Sequence, residues 1–328
     1  MGSVRDARFD TLKGFLILSV VFGHFFTHDA SHAVASDTIA NFIYLFHMPL
    51  FVFVSGYFTN NQSFMQRGWW KILETYFIFQ LIKGLWSHYS VLWLFIMPGP
   101  MLWYLFDLLF WRLLNVGFSK VGLRVSPWLI GIFIALSLVA GFVPWIGREF
   151  AFSRFLFFAP YFFLGVYCKQ RIIIDDVHKV NPKLCYCVFL VALLASACFA
   201  VFHIRIRMIL AGTAHYPSNF QLVCFVARLV SYFTSSIISI AFIRLFSFEN
   251  KLFATIGRDS LKFYMFHGLC LMAIEAVGAP WSTLYSFFYA TTVSVAIFFF
   301  NKSKLSDFAI NPISFIVNRI INRNYLLE

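Results

Sequence analysis

The chain has 328 residues, of which 60% are hydrophobic, 21% aromatic and only 12% charged. A soluble domain carries roughly 25% charged residues, so a water-soluble protein of this size could not cover itself with so few. The net charge of +12 lies in short connections between apolar runs. No basic patch interleaved with aromatics is present, which excludes nucleic-acid binding and points to an integral membrane protein.

A helix through the hydrocarbon core needs about 20 apolar residues. Such helices are predicted near 11–27, 40–58, 70–88, 102–118, 128–146, 155–170, 184–203, 222–246, 261–278 and 283–301. The fold class is therefore all-α: a polytopic membrane bundle of about ten helices, forming one domain over 1–328. The segment 155–170 is the shortest. Residues 91–97 are apolar but run into Pro98-Gly-Pro100, and read as an interfacial or re-entrant piece. The amphipathic tail 306–328 is expected along the membrane surface. The first apolar run ends at His24-Phe-Phe-Thr-His28-Asp29 without a small-residue cleavage site, so it is a helix that stays. The six cysteines form no CxxC pair and read as free thiols packed in helices, with no metal site implied.

Charge placement gives an orientation. With the N-terminus in the cytoplasm, Arg5, Arg8, Lys13, Arg67, Lys71, Arg112, Lys120, Arg124, Lys169, Arg171, Lys179, Lys183, Arg244, Lys251, Arg258, Lys262, Lys302, Lys304, Arg319 and Arg323 fall on that side. Lys83, Arg148, Arg154, Arg205 and Arg207 fall opposite, and Arg228 lies inside a helix. This asymmetry follows the positive-inside rule, with both termini cytoplasmic.

Ionisable side chains inside a bilayer cost a few kcal/mol each on insertion scales, so each needs a reason. Here they are Lys13, His24, His47, Glu74, Lys83, Asp107, Arg112, Arg154, Arg228, His267 and Glu275. Lys13 and His24 share one helix face, about 16 Å apart along the axis. A snorkelling lysine and a satisfied core histidine explain them equally well. His47 precedes Pro49, which frees a carbonyl. A kinked packing helix in which His47 bonds that carbonyl is the plainer reading. Ser55-Gly56 permits close helix approach. Ser260, Tyr264 and His267 form a polar stripe, with Asp259 or Ser260 as cap. Arg154 opens a helix, where a cation opposes the dipole, so it answers Glu149 or a ligand.

Four of these stretches carry a resemblance. Arg8-Phe-Asp10-Thr-Leu-Lys13-Gly14 leading to His24 matches a basic-x10-His pattern. Phe46-His47-Met-Pro-Leu-Phe with Ser55-Gly56-Tyr57 matches, as do Leu102-Trp103-Tyr104-Leu105, Arg154 with Pro160 and Gly165, and Ser260 through His267. Together, over residues 6–300, the chain resembles the acyltransferase-3 family of integral membrane O-acyltransferases, in particular its fucose-4-O-acetylase-like branch. Two features depart from the family. Lys13 stands where many relatives have Arg, and Arg67-Gly-Trp-Trp-Lys71 replaces a double-arginine motif. No appended esterase-like domain is expected.

The resemblance implies transfer of an acetyl group from cytoplasmic acetyl-CoA to a hydroxyl of a carbohydrate or cell-envelope acceptor, in a cell membrane of bacterial type. It carries the catalytic histidine to His24 and its basic partner to Lys13. Imidazole chemistry suits deprotonation of a sugar hydroxyl or transient acyl carriage, with Tyr264, His267 or His47 orienting it. Lys13, Arg67, Lys71, Arg258 and Lys262 would attract the phosphates of CoA. Arg154, Glu149, Ser55 and Trp103 would meet the acceptor. A multi-pass transporter or flippase is the alternative, since intramembrane His, Glu and Arg also serve proton-coupled transport.

Overall fold

The computed structural model describes residues 6–29, 31–87, 96–99, 101–213 and 215–324. Arg5, residues 91–95 and Pro100 of the expected interfacial piece, and the last four residues of the tail lie outside them. Among the described residues the chain is helical throughout, without a strand. Apolar segments in a bilayer take this form because every backbone N–H and C=O must be satisfied within the segment.

The long helices are α1 (Ala7–Thr27), α2 (Val34–Tyr44), α3 (His47–Tyr57), α4 (Trp69–Ser87), α5 (Trp103–Lys120), α6 (Pro127–Ala140) and α7 (Phe152–Arg171). They continue as α8 (Pro182–Val201), α9 (Gln221–Leu245), α10 (Lys251–Arg258), α11 (Ser260–Ala276), α12 (Thr283–Phe300), α13 (Lys304–Ile310) and α14 (Pro312–Asn324). Polar caps start several of them. Ser126 precedes Pro127, Asn181 precedes Pro182, and the Asn250 carboxamide accepts from the backbone N–H groups of Leu252 and Phe253.

Each of the ten expected segments contains a helix. Among the described residues, six spans are long and apolar enough to cross a membrane: Ala7–Thr27, Val34–Tyr57, Glu149–Arg171, Pro182–Val201, Ser218–Leu245 and Thr283–Phe300. The others are shorter or more charged. α6 has 14 residues and α11 has 17, while α4 carries Lys71, Glu74 and Lys83. The segment 155–170 proves to be a full 20-residue helix with Pro160 inside it. The segment 40–58 is not one kinked helix. It breaks at Leu45-Phe46, and Pro49 falls in the first turn of α3, where a missing N–H is harmless. The expected cap before α11 does not form: Asp259 makes no side-chain cap bond there. Its carboxylate lies 3.8 Å from Lys262 instead.

Glycines set the two tightest crossings. A Cβ on Gly14 would lie 2.0 Å from the Phe253 carbonyl oxygen, and one on Gly257 would lie 1.9 Å from that of Asp10. α1 and α10 therefore touch backbone to backbone. Gly56 and Gly165 do the same for α3 and α7, at 1.9 Å from Phe162 O and 2.1 Å from Phe53 O. Small residues substitute for the hydrophobic effect, which drives nothing between helices in lipid. The outward faces of α8, α9 and α12 expose Leu190, Val191, Leu222, Val223, Phe233 and Phe299, the surface a bilayer covers.

The tail is more than a surface strap. The buried Glu74 carboxylate accepts from Ile313 N (2.6 Å), Ser314 N (3.2 Å) and Ser314 Oγ (2.6 Å). An anion thus caps the N-terminus of α14, where the helix dipole favours it.

Candidate active site

α1 is the central helix, and it carries Lys13 near one end and His24 near the other. Neither points into lipid. Lys13 Nζ pairs with Asp10 Oδ1 at 2.7 Å and stands 5.7 Å from the Phe58 ring. Asp10 is buried and the Lys13 side chain half-buried, so the pair is partly screened from solvent beside the Gly14–Gly257 crossing. Sequence reasoning missed Asp10 as the partner, although its spacing, i to i+3 on a helix, is that of a facing pair.

His24 faces α11. Its ring centroid lies 5.4 Å from that of His267, at an interplanar angle of 33°. Protein surrounds His24, yet the side chain keeps partial accessibility, so open space adjoins it. His267 Nδ1 lies 2.9 Å from Phe263 O. A carbonyl only accepts, so Nδ1 carries the proton and Nε2 presents a lone pair. That Nε2 is buried and has no hydrogen-bond partner. His47 repeats the pattern: Nδ1 is 2.8 Å from Ile43 O, at the break between α2 and α3. Its ring lies 4.6 Å from Tyr44. That carbonyl also accepts from Phe46 N at 3.2 Å, so His47 bonds a backbone carbonyl, but not one that Pro49 sets free. His47, His28 and Arg154 are all within electrostatic reach of His24.

The polar stripe of α11 joins two other motifs here. Tyr264 OH donates to Met101 O, and its ring meets Tyr104 edge-on at 5.4 Å. The Tyr104 hydroxyl lies 2.6 Å from Ser55 Oγ. Ser55, Tyr104, Tyr264 and His267 thus converge from α3, α5 and α11. Asp107, one turn along α5 from Tyr104, is fully buried, and among the described residues neither carboxylate oxygen has a hydrogen-bond partner.

Arg154 lies at the start of α7, within electrostatic reach of Tyr264, Asp107 and Tyr44. Its guanidinium sits 4.8 Å from the Trp103 ring centre, and Nε donates to Ala211 O at 3.3 Å. Trp103 also stacks on Phe158 at 4.9 Å, so its ring is engaged in holding Arg154. Glu149 is exposed on the turn before α7 and does not line the cavity that Arg154 lines.

Of the expected phosphate-binding cations, Lys71, Arg258 and Lys262 share a cleft of about 300 Å³, roofed by α13 and α14. Lys262 is engaged there by Asp307 at 2.6 Å, and Arg258 donates to Thr255 Oγ1 at 2.8 Å. Arg67 is exposed and outside that lining. At the opposite end, cavities of about 230 and 380 Å³ meet at Lys83, and the second reaches Tyr264. Neither Lys13 nor His24 lines any of the four principal cavities. Among the described residues, no three His, Cys, Asp or Glu stand close enough to hold a metal ion.

Two other intramembrane charges have partners, and one of them, Glu275, lines the cavity of about 380 Å³. Arg228 donates to Ser137 O at 2.9 Å, and His28 Nδ1 lies 2.7 Å from Glu275 Oε1. Asp37 and Arg207 form a buried pair at 2.6 Å that the sequence did not reveal.

A family model described as an acyltransferase domain, Acyl_transf_3, matches residues 6–300. No curated protein and no solved structure gives a significant match.

Proposed function

Since the chain belongs to the acyltransferase-3 family, we propose that it carries an acetyl group from acetyl-CoA to a hydroxyl of a carbohydrate or cell-envelope acceptor, within the fucose-4-O-acetylase-like branch. Family membership makes the protein a multi-pass membrane acyltransferase and sets aside the transport alternative. The observation that carries the rest is the His24–His267 pair, 5.4 Å apart, with the His267 tautomer fixed by Phe263 O.

In this reading the acceptor hydroxyl gives its proton to a nitrogen of His24 as its oxygen attacks the thioester carbon. The C–S bond then breaks, and His24 returns the proton to the leaving CoA sulfur. His267 Nε2 accepts a hydrogen bond from a neighbouring hydroxyl of the acceptor and so orients the attacking one toward His24. Tyr264 and His47 complete the polar wall. General-base help of this kind contributes about 10²–10⁴-fold. A transient acyl-His24 is the covalent form of the same proposal.

The donor arrives at the end of α1 that carries Lys13, where the cleft formed by Lys71, Arg258 and Lys262 offers cations to the CoA phosphates. In an unbroken helix, Lys13 and His24 stay about 16 Å apart on one face. The pantetheine arm would follow that face, opening a path as it binds. Ten membrane crossings, cytoplasmic termini and residence in a bacterial-type cell membrane are part of the same proposal, supported by the charge asymmetry.

His24→Ala tests it. Acetyl transfer in reconstituted vesicles should fall by about 10²–10⁴, while expression, membrane insertion and acetyl-CoA binding persist. A variant that transfers acetyl at the parent rate removes His24 from the reaction.

A further inference from the structure

The cavity of about 230 Å³ beside Arg154 has a wall charged with one sign. Lys83 comes from α4, Arg148 from the loop before α7, and Arg154 from its first turn; no Asp or Glu lines it. Gly99 and Gly147 bring bare backbone to the same space.

A lysine in an apolar helix needs a partner. Among the described residues, none hydrogen-bonds or pairs with Lys83 Nζ. The side chain lies across the loop before α5: a Cβ on Gly99 would stand 2.7 Å from Lys83 Cδ and 3.0 Å from Nζ. Gln80 fixes that loop, accepting from Gly99 N at 3.0 Å and donating to Met97 O at 2.9 Å. On the other wall Arg154 is fixed by Trp103 and Ala211 O. Lys83 and Arg148 each lie close enough to Arg154 for mutual repulsion. Glu275 lines the adjoining cavity with Lys83 and pairs with His28 at 2.7 Å. Two further carboxylates stand near. Asp107 lies behind the wall, within reach of Arg154. Glu149 sits on the rim, its Oε2 beside Gly147. Neither lines the space where the three cations converge.

We propose that this cavity holds an oxyanion of the acyl acceptor, so that the acceptor is a phosphate- or carboxylate-bearing glycan rather than a neutral one, with Lys83 and Arg148 selecting it. The inference rests on the acyltransfer reading. Its geometry is consistent with that chemistry: Lys83 also lines the adjoining cavity of about 380 Å³ that reaches Tyr264. An anion anchored at Lys83 places the rest of the sugar toward the hydroxyl-bearing wall and the histidine pair.

The test uses the purified full chain in neutral detergent. Thermal unfolding is followed with inorganic phosphate, glucuronate or glucose, because a ligand that binds only the folded state raises the midpoint with concentration. Phosphate, glucuronate or both should raise it, and whichever does so more strongly names the acceptor's anion. Glucose should not. Lys83→Met and Arg148→Met should each weaken the apparent affinity by about tenfold or more, Lys83→Arg should keep it, and Glu149→Gln should strengthen it. A response unchanged in both Met variants, or an equal response to glucose, overturns the inference. Phosphatidylcholine vesicles with added phosphatidylglycerol provide the lipid arm: a Lys83-dependent loss of the phosphate response there makes a lipid headgroup the occupant and also overturns it. Binding of radiolabelled acetyl-CoA to the parent protein is read in parallel. Its absence defeats the donor assignment. Its presence without an anion response defeats this inference alone.

Discussion

Replacing Gly257 by Ala puts a methyl group where α1 and α10 touch. The new Cβ would stand 1.9 Å from Asp10 O and 2.8 Å from Gly14 N, against an ordinary contact of 3.4 Å or more. The obstacle is backbone on both helices, so no rotamer change relieves it, and the crossing must open by about 1.5 Å. A radial gap of about 1 Å already forfeits a quarter to a half of each dispersion contact. Overpacking of this kind costs about 1–3 kcal/mol, and the rigid surroundings place Gly257→Ala near the upper end. The movement also displaces Asp10 and with it Lys13, so donor binding should weaken alongside stability. The assay is thermal unfolding in detergent with acetyl-CoA binding on the same samples. Gly131→Ala and Gly117→Ala are matched controls, since nothing lies within 4 Å of either new Cβ. Both sit inside helices, where Ala is favoured over Gly by about 0.5–1 kcal/mol. If Gly257→Ala unfolds at the same temperature as Gly131→Ala, the backbone-to-backbone crossing is wrong.

Three further outcomes follow from the buried charges. Lys13→Met removes the 2.7 Å pair with Asp10 and should lower the unfolding midpoint; Asp10→Asn with Lys13→Met should restore it without restoring acetyl-CoA affinity, which separates folding from donor binding. Arg207→Met leaves Asp37 buried and unpaired, a loss of about 3–5 kcal/mol, whereas Asp37→Leu with Arg207→Met should recover most of it in the same unfolding measurement. Glu74→Ala removes the acceptor shared by Ile313 N, Ser314 N and Ser314 Oγ. Hydrogen exchange should then rise in residues 312–317 with the bundle unchanged, and continued protection there would mean that α14 is held by something else.

The helical class was legible residue by residue, because apolar runs between charged connections have one answer in a bilayer. So was the role of Gly56 in close helix approach. Other readings moved once the chain was folded. Glu149 was expected to answer Arg154, but Arg154 rests on Trp103 and Ala211 O while Glu149 stands on the rim. Trp103 read as a surface for the acceptor; it stacks on Phe158 and meets Arg154, and it lines the cavity beside Arg154. Lys262 read as a cation for the CoA phosphates; the structure adds that Asp307 pairs with it at 2.6 Å. That partner comes from the tail expected along the membrane surface.

What the sequence determined by itself was local: which segments are helices, and that His24 follows Lys13 along one face. The tertiary structure decided which groups meet. Helices that are apolar all round do not encode which side faces a neighbour, so no periodicity could pair His24 with His267, Tyr104 with Ser55, or Glu74 with the start of α14. Those encounters depend on where bare glycine backbone lets two helices cross, at Gly14 with Gly257 and at Gly56 with Gly165, and a crossing involves two distant segments at once.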